Sequence, residues 1–186
     1  MKSVSVVTLI VLLTGISFAQ SDIGLKAVGG RIGFIMPEDP IDDTIGFGLN
    51  ADLGTLMPNL TLHGYLDYWS KSYESDLGFG TNWESSFSIL GIIALVKYHF
   101  EMEGNIKPYA GGGLGLMIGT GKSEYTNPIT GAKEEDSSSD SELGIQLVGG
   151  AAMPLSPELD GFAELKYNID GADYFGIYVG VSYKLK

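Results

Sequence analysis

Eight residues of this chain have chemistry that would matter if they shared one enclosed space: Arg31, Asp52, His63, Asp67, Lys97, His99, Glu164 and Lys166. Imidazoles and carboxylates held away from bulk water can relay protons, and alternating carboxylate and ammonium groups can line an ion path. The same residues can instead form a static hydrogen-bonded network that stiffens a core, which is the expectation here. His63 and His99 could pair around a metal ion, but no further ligand stands at a supporting spacing, so both are expected to be satisfied interior histidines. No phosphate-binding loop, dinucleotide fingerprint, zinc-protease helix or nucleophile elbow occurs in a strand-to-helix context. Catalytic, cofactor-binding and metal-binding residues are therefore not assigned, no cofactor is expected, and the chain is not expected to be an enzyme.

A second group of titratable residues is acidic: Glu38, Asp39, Asp42 and Asp43, then Glu124, Glu134, Glu135, Asp136 and Asp140 around the run Ser137-Ser138-Ser139. Hard divalent cations prefer carboxylate oxygens, but the spacing matches no calcium loop, so a solvated acidic surface is expected. Such clusters make divalent cations or extracellular surfaces the partners to consider.

The elements that position these residues are strands. Over the last thirteen residues Phe175, Ile177, Val179, Val181, Tyr183 and Leu185 alternate with Gly176, Tyr178, Gly180, Ser182 and Lys184, giving one apolar and one polar or small face. Eight segments read this way, at about 23 to 36, 43 to 54, 59 to 71, 83 to 100, 106 to 120, 142 to 153, 159 to 169 and 173 to 185. In the second, Ile45, Phe47, Leu49, Ala51 and Leu53 oppose Asn50 and Asp52; in the seventh, Ala163, Leu165, Tyr167 and Ile169 oppose Glu164, Lys166 and Asn168. A basic residue on a lipid-facing side would cost about 2–4 kcal/mol at mid-bilayer, and this segregation is what a membrane barrel requires. Lys26 and Arg31 have opposite parity, which a bulge at Gly29-Gly30 would reconcile, as would a place for Lys26 at the rim. If the last two strands pair around residues 170 to 173, Glu164 lies beside Tyr178 and Gly180 and Lys166 beside Gly176 and Tyr178. The glycines then leave room for both long chains, which are expected to interact with each other.

The connections after the second, fourth and sixth strands are short, whereas those at the opposite end are mostly longer and polar, residues 121 to 141 above all. This is the pattern of an eight-stranded antiparallel up-and-down transmembrane barrel with short periplasmic turns and mobile outer loops, and an interior just wide enough for side chains. Tyr98, Phe100 and Tyr183 share the lipid-facing parity near the periplasmic ends of their strands and are expected to form an aromatic girdle, with Tyr68 and Phe175 at the outer level. His63 and His99 fall near the periplasmic end, away from where a surface-editing barrel enzyme needs its histidine.

Residues 1–19 read as a signal peptide: Lys2, an apolar run from Val6 to Ile16, then Ser17-Phe18-Ala19 before the cut. Residues 20–186 read as one barrel domain. Removing Lys2 takes the formal net charge from −12 to −13, which excludes nucleic acid and anionic surfaces as expected partners. There is no cysteine, so stability must come from closed hydrogen bonding and burial.

The run Lys107-Pro108-Tyr109-Ala110-Gly111-Gly112-Gly113-Leu114-Gly115, the strand end Lys97-Tyr98-His99-Phe100 and the ending Gly180-Val181-Ser182-Tyr183-Lys184-Leu185 resemble small outer-membrane barrels of the OmpA, OmpX and OmpW kind. The resemblance implies an outer-membrane location, contact with outer-membrane lipid, and recognition of the last strand by the barrel-assembly machinery. The expected role is structural or in surface contact through the outer loops. The alternative that the OmpW resemblance implies is a narrow transporter of a small, apolar solute.

Overall fold

The computed structural model describes residues 21–76, 82–126, 133–169 and 173–186. The leader and its cleavage point lie outside these residues. Eight strands follow one another: β1 (Asp22–Pro37), β2 (Thr44–Met57), β3 (Leu60–Asp76), β4 (Asn82–His99), β5 (Lys107–Thr126), β6 (Lys133–Pro154), β7 (Leu159–Ile169) and β8 (Tyr174–Lys184). Each pairs antiparallel with the next, and β8 returns to pair with β1, so the strand order closes on itself. One end carries both described chain ends and the turns after β2, β4 and β6; the other carries the long hairpins. We call these the terminal end and the hairpin end.

Alternation sets the two faces, because successive side chains of a strand point to opposite sides. Ile45, Phe47 and Leu49 on β2, Leu165 and Tyr167 on β7, and Ile177, Val179, Val181 and Tyr183 on β8 are exposed on the outside. Arg31, Asn50, Asp67, Lys97, Gln146, Glu164, Lys166 and Asn168 are buried inside. The inversion of the usual soluble pattern is complete enough that Lys166, Gln146 and Asn168 have no exposed surface at all.

Two expectations are corrected. Register between β1 and β2 is unbroken from Ala27 to Ile35, so there is no bulge at Gly29-Gly30; the irregularity lies between Ile23 and Ala27. Lys26 sits at the terminal rim, where its Nζ is 2.8 Å from Asp22. The stretch 121 to 141 is not a free loop over its described residues. The β5–β6 ladder continues through Gly121↔Ser138, Ser123↔Asp136 and Glu124↔Glu135 to Thr126↔Lys133. A ladder needs only backbone pairing, and serine and threonine hydroxyls on both faces suit a hairpin that stands in water.

Candidate functional site

Five of the eight residues singled out from the sequence meet in one buried cluster across the middle of the lumen. The Arg31 guanidinium donates from Nε to Asp67 Oδ1 at 2.9 Å, from Nη2 to Asp67 Oδ2, and from Nη1 to Glu164 Oε1 at 2.8 Å. The planar fork of arginine thus links two carboxylates on different strands. Its central carbon lies 3.6 Å from the Tyr65 ring centroid and 4.5 Å from that of Tyr178, so the cation is sandwiched between aromatic faces. Lys166 Nζ donates to Asp67 at 2.5 Å. Glu164 Oε2 accepts three bonds, from Lys97 Nζ at 2.7 Å and from the hydroxyls of Tyr65 and Tyr109 at 2.9 Å each. Lys97 lies over the Tyr109 ring, 3.9 Å from its centroid.

The expected pairing of Glu164 with Lys166 does not occur. Inward side chains two apart on β7 take different partners: Glu164 bonds to β1, β4, β3 and β5, whereas Lys166 bonds to Asp67 on β3 and lies 5.0 and 5.2 Å from the Tyr174 and Tyr178 ring centroids on β8. Nor do the glycines of β8 simply make space for these two chains. A Cβ on Gly176 would stand 2.6 Å from the Tyr178 ring and one on Gly180 2.5 Å from the Phe162 ring, so the vacated space holds aromatic rings.

What places the network is a repeated device. Arg31 on β1 and Asp67 on β3 are both in register with Gly48 on the intervening β2, and a Cβ on Gly48 would fall 2.2 Å from Asp67 Oδ1. Tyr109 on β5 and Glu164 on β7 flank Gly150 of β6, where a Cβ would lie 2.9 Å from the Tyr109 hydroxyl. Asn50 on β2 and Ser182 on β8 flank Gly29 of β1, and Asn50 Nδ2 donates to Ser182 Oγ at 2.6 Å. In each case a polar pair bonds across a glycine strand. Tyr65 and Tyr109, whose hydroxyls both find Glu164, are missed by the sequence pattern. Their inward parity is visible, but their meeting with Glu164 depends on register over three or more strands.

Asp52, His63 and His99 stand apart from this cluster, toward the terminal end. Asp52 Oδ1 accepts from the backbone N–H of Gly54 at 2.8 Å. The Nε2 atoms of His63 and His99 each lie 2.8 Å from the Thr61 hydroxyl. That hydroxyl has one proton to donate, so at least one ring donates to it. Together with Asn50, Lys97 and Tyr109 these residues line a vestibule of about 330 Å³ opening at the terminal end. Among the described residues no group of three or more His, Cys, Asp or Glu is placed to hold a metal ion.

On the hairpin side of the charged cluster, Ile35, Trp69, Ile89, Met117, Tyr174 and Tyr178 form an apolar layer. Beside it Gln146 donates to Asn168. The lumen therefore runs from a polar vestibule through a charged waist to a layer of buried apolar and aromatic side chains. Outside, Tyr98, Phe100 and Tyr183 are exposed near the terminal end, with the Tyr98 and Phe100 rings 5.2 Å apart, edge to face.

The family model for the outer membrane protein beta-barrel domain matches residues 5–184. Among solved structures, the chain is similar to Neisserial surface protein A, with a TM-score of 0.60 and 15% identity over 86% of this chain and 96% of that one. It is similar to Ail, the attachment invasion locus protein of Yersinia pestis, solved with the heparin analogue sucrose octasulfate, with a TM-score of 0.54 and 16% identity over 87% and 97%. A major outer membrane protein of Thermus thermophilus gives a TM-score of 0.50 and 15% identity over 86% and 99%. At these identities the likeness is one of fold. A comparison with curated proteins finds no match.

Proposed function

Because the chain belongs to the family of outer-membrane protein β-barrel domains, we propose that it spans the outer membrane as a closed barrel and serves, without catalysis, as a surface-contact protein through its hairpin end. In this reading the leader is removed after Ala19, the last strand is read by the barrel-assembly machinery, the terminal end faces the periplasm, and Tyr98, Phe100 and Tyr183 mark the periplasmic lipid interface. The eight interior residues hold the barrel rigid. The filled lumen supports a scaffold over a transporter: the charged waist is buried and hydrogen-bonded, and a layer of buried apolar and aromatic side chains lies on its hairpin side.

The observation that carries the contact role is the outer part of β6. Its ladder with β7 begins only at Ile145, whereas its ladder with β5 runs out to Lys133. Among the described residues, Lys133–Gly144 therefore have one edge without a neighbouring strand, and this edge carries Glu135, Asp136, Asp140 and Glu142. An unpaired edge invites an extended segment to add as a further strand. The acidic side chains select a basic one, unlike the polyanionic heparin analogue found with Ail.

The test is binding of an extended Lys-rich peptide to the barrel in nanodiscs, before and after replacing residues 123–139 with a short Gly-Asn turn. The barrel should still fold and become heat-modifiable, while peptide binding falls to background. Unchanged binding by the shortened barrel would remove the contact reading.

A further inference from the structure

A second feature of the hairpin end is a pocket of about 350 Å³ on the lumen-facing side of β4, β5 and β6, distinct from the open edge. Its floor is apolar: Phe87, Ile89 and Met117, the last two belonging to the buried apolar layer on the hairpin side of the waist. Gly119 and Gly121 occupy the inward positions of β5 above that floor and put no side chain into the space. On β6 the inward positions are Ser138, Asp140 and Glu142, and the exposed side chains of the last two make this wall acidic. Two residues apart on a strand, they point to the same side.

The described positive groups nearby are turned elsewhere. Lys71 on β3 donates to the Asp43 carbonyl at 3.1 Å and lies 3.7 Å from Asp42. Lys122 has the opposite parity on β5 and lines a separate depression on the outer face. Three ligand classes can be compared. An anion meets two carboxylates. A bare divalent ion finds no third carboxylate or imidazole among the described residues and gains nothing from an apolar floor. A cation with an apolar body matches both halves, charge to the wall and hydrocarbon to the floor, in a volume at the lower end of the roughly 300–1,000 Å³ typical of ligand pockets.

We propose that this pocket binds a small organic cation, a primary amine carrying a single ring or short alkyl body. The inference goes beyond surface contact and does not depend on which side of the membrane the pocket meets.

The experiment titrates 2-phenylethylammonium into the full barrel in zwitterionic-lipid nanodiscs by calorimetry, with methylammonium and 2-phenylethanol as partial mimics. Saturable binding is expected for the whole cation, and weaker binding by each mimic, which lacks either the body or the charge. The double variant Asp140→Asn with Glu142→Gln should lose about fivefold to tenfold in affinity, the loss expected for a partly solvated charge contact. Gly119→Val should abolish binding by filling the floor. A Cβ there meets Ile89 Cδ1 at 3.4 Å, an ordinary contact, so the barrel should remain heat-modifiable. Should that variant misfold, Gly121→Val replaces it, since its Cβ meets only the Ser138 hydroxyl at 3.6 Å. Equal binding of 2-phenylethanol, full affinity in the double variant, or no saturable heat from the whole cation would each overturn the proposal.

Discussion

Removing the Glu164 carboxylate with Glu164→Ala is the most demanding test of the waist. The change takes away the acceptor of four bonds, but its consequences differ by partner. Arg31 keeps both bonds to Asp67, a carboxylate it shares with Lys166. The Tyr65 and Tyr109 hydroxyls border the vestibule, whose volume of about 330 Å³ lets water replace the lost oxygen. Lys97 is the casualty: its side chain is only 7% exposed and its one carboxylate partner is gone. A buried charge stripped of its partner costs roughly 3–5 kcal/mol, and the proximity of the vestibule places the expected loss near 3 kcal/mol. Adding Lys97→Met should restore part of it, giving a coupling of about 1–3 kcal/mol between positions 164 and 97. The corresponding cycle with Lys166→Met should show a smaller coupling, because Lys166 bonds to Asp67 and reaches Glu164 only through Arg31. Urea unfolding from lipid vesicles, followed by tryptophan fluorescence and by heat-modifiability on gels, measures every variant of both cycles. A coupling between 164 and 166 as large as that between 164 and 97 would refute the partner assignment.

Gly48→Ala should destabilise the barrel by about 1–3 kcal/mol, since the new Cβ would fall 2.2 Å from Asp67 Oδ1 and displace the carboxylate from Arg31, whereas Gly149→Ala on the outer face, with nothing within 4 Å, should be close to neutral in the same unfolding assay. Thr61→Val should cost about 1–2 kcal/mol by removing the hydroxyl that both histidines share, and should shift the His63 and His99 ring signals together in NMR spectra. If only one histidine signal moves, the shared bond is wrong.

The strand count, the inward parity of the charged residues and the outward parity of Tyr98, Phe100 and Tyr183 were legible because each depends on alternation within a single strand. Partner choice was not. Glu164 and Lys166 stand two apart on β7 and looked like a pair, yet the lumen lets each reach strands that sequence distance does not rank. The extent of β5 and β6 was hidden for a different reason: an apolar alternation marks only the part of a strand that meets a hydrophobic medium, and Glu135 to Ser141 pair through the backbone without it, Ser139 Oγ adding a bond to the Gly119 carbonyl at 3.1 Å. Lys26 shows the converse, a charge of apparently wrong parity explained by its place at the rim next to Asp22.

The glycine-bridged pairs also answer a question that alternation leaves open. A slip of one residue turns every side chain to the wrong face, and alternation forbids it; a slip of two keeps the faces and passes unnoticed. Consider β1 sliding by two against β2 while β2 and β3 stay fixed. Arg31 would then oppose Gly46, whose neighbour on β3 is Trp69, or Asn50, whose neighbour is Tyr65. Neither row offers a carboxylate. Sliding β5 by two against β6 would set Tyr109 against Val148, beside Lys166, or Ala152, beside Phe162, and again no carboxylate is in reach. Each slip would leave a buried charge or hydroxyl without its partner, at a cost of a few kcal/mol that apolar burial cannot offset, because burial is unchanged. The polar waist is thus the part of this barrel that selects one register among those the apolar pattern permits. Its glycines are what make the selection steric as well as electrostatic.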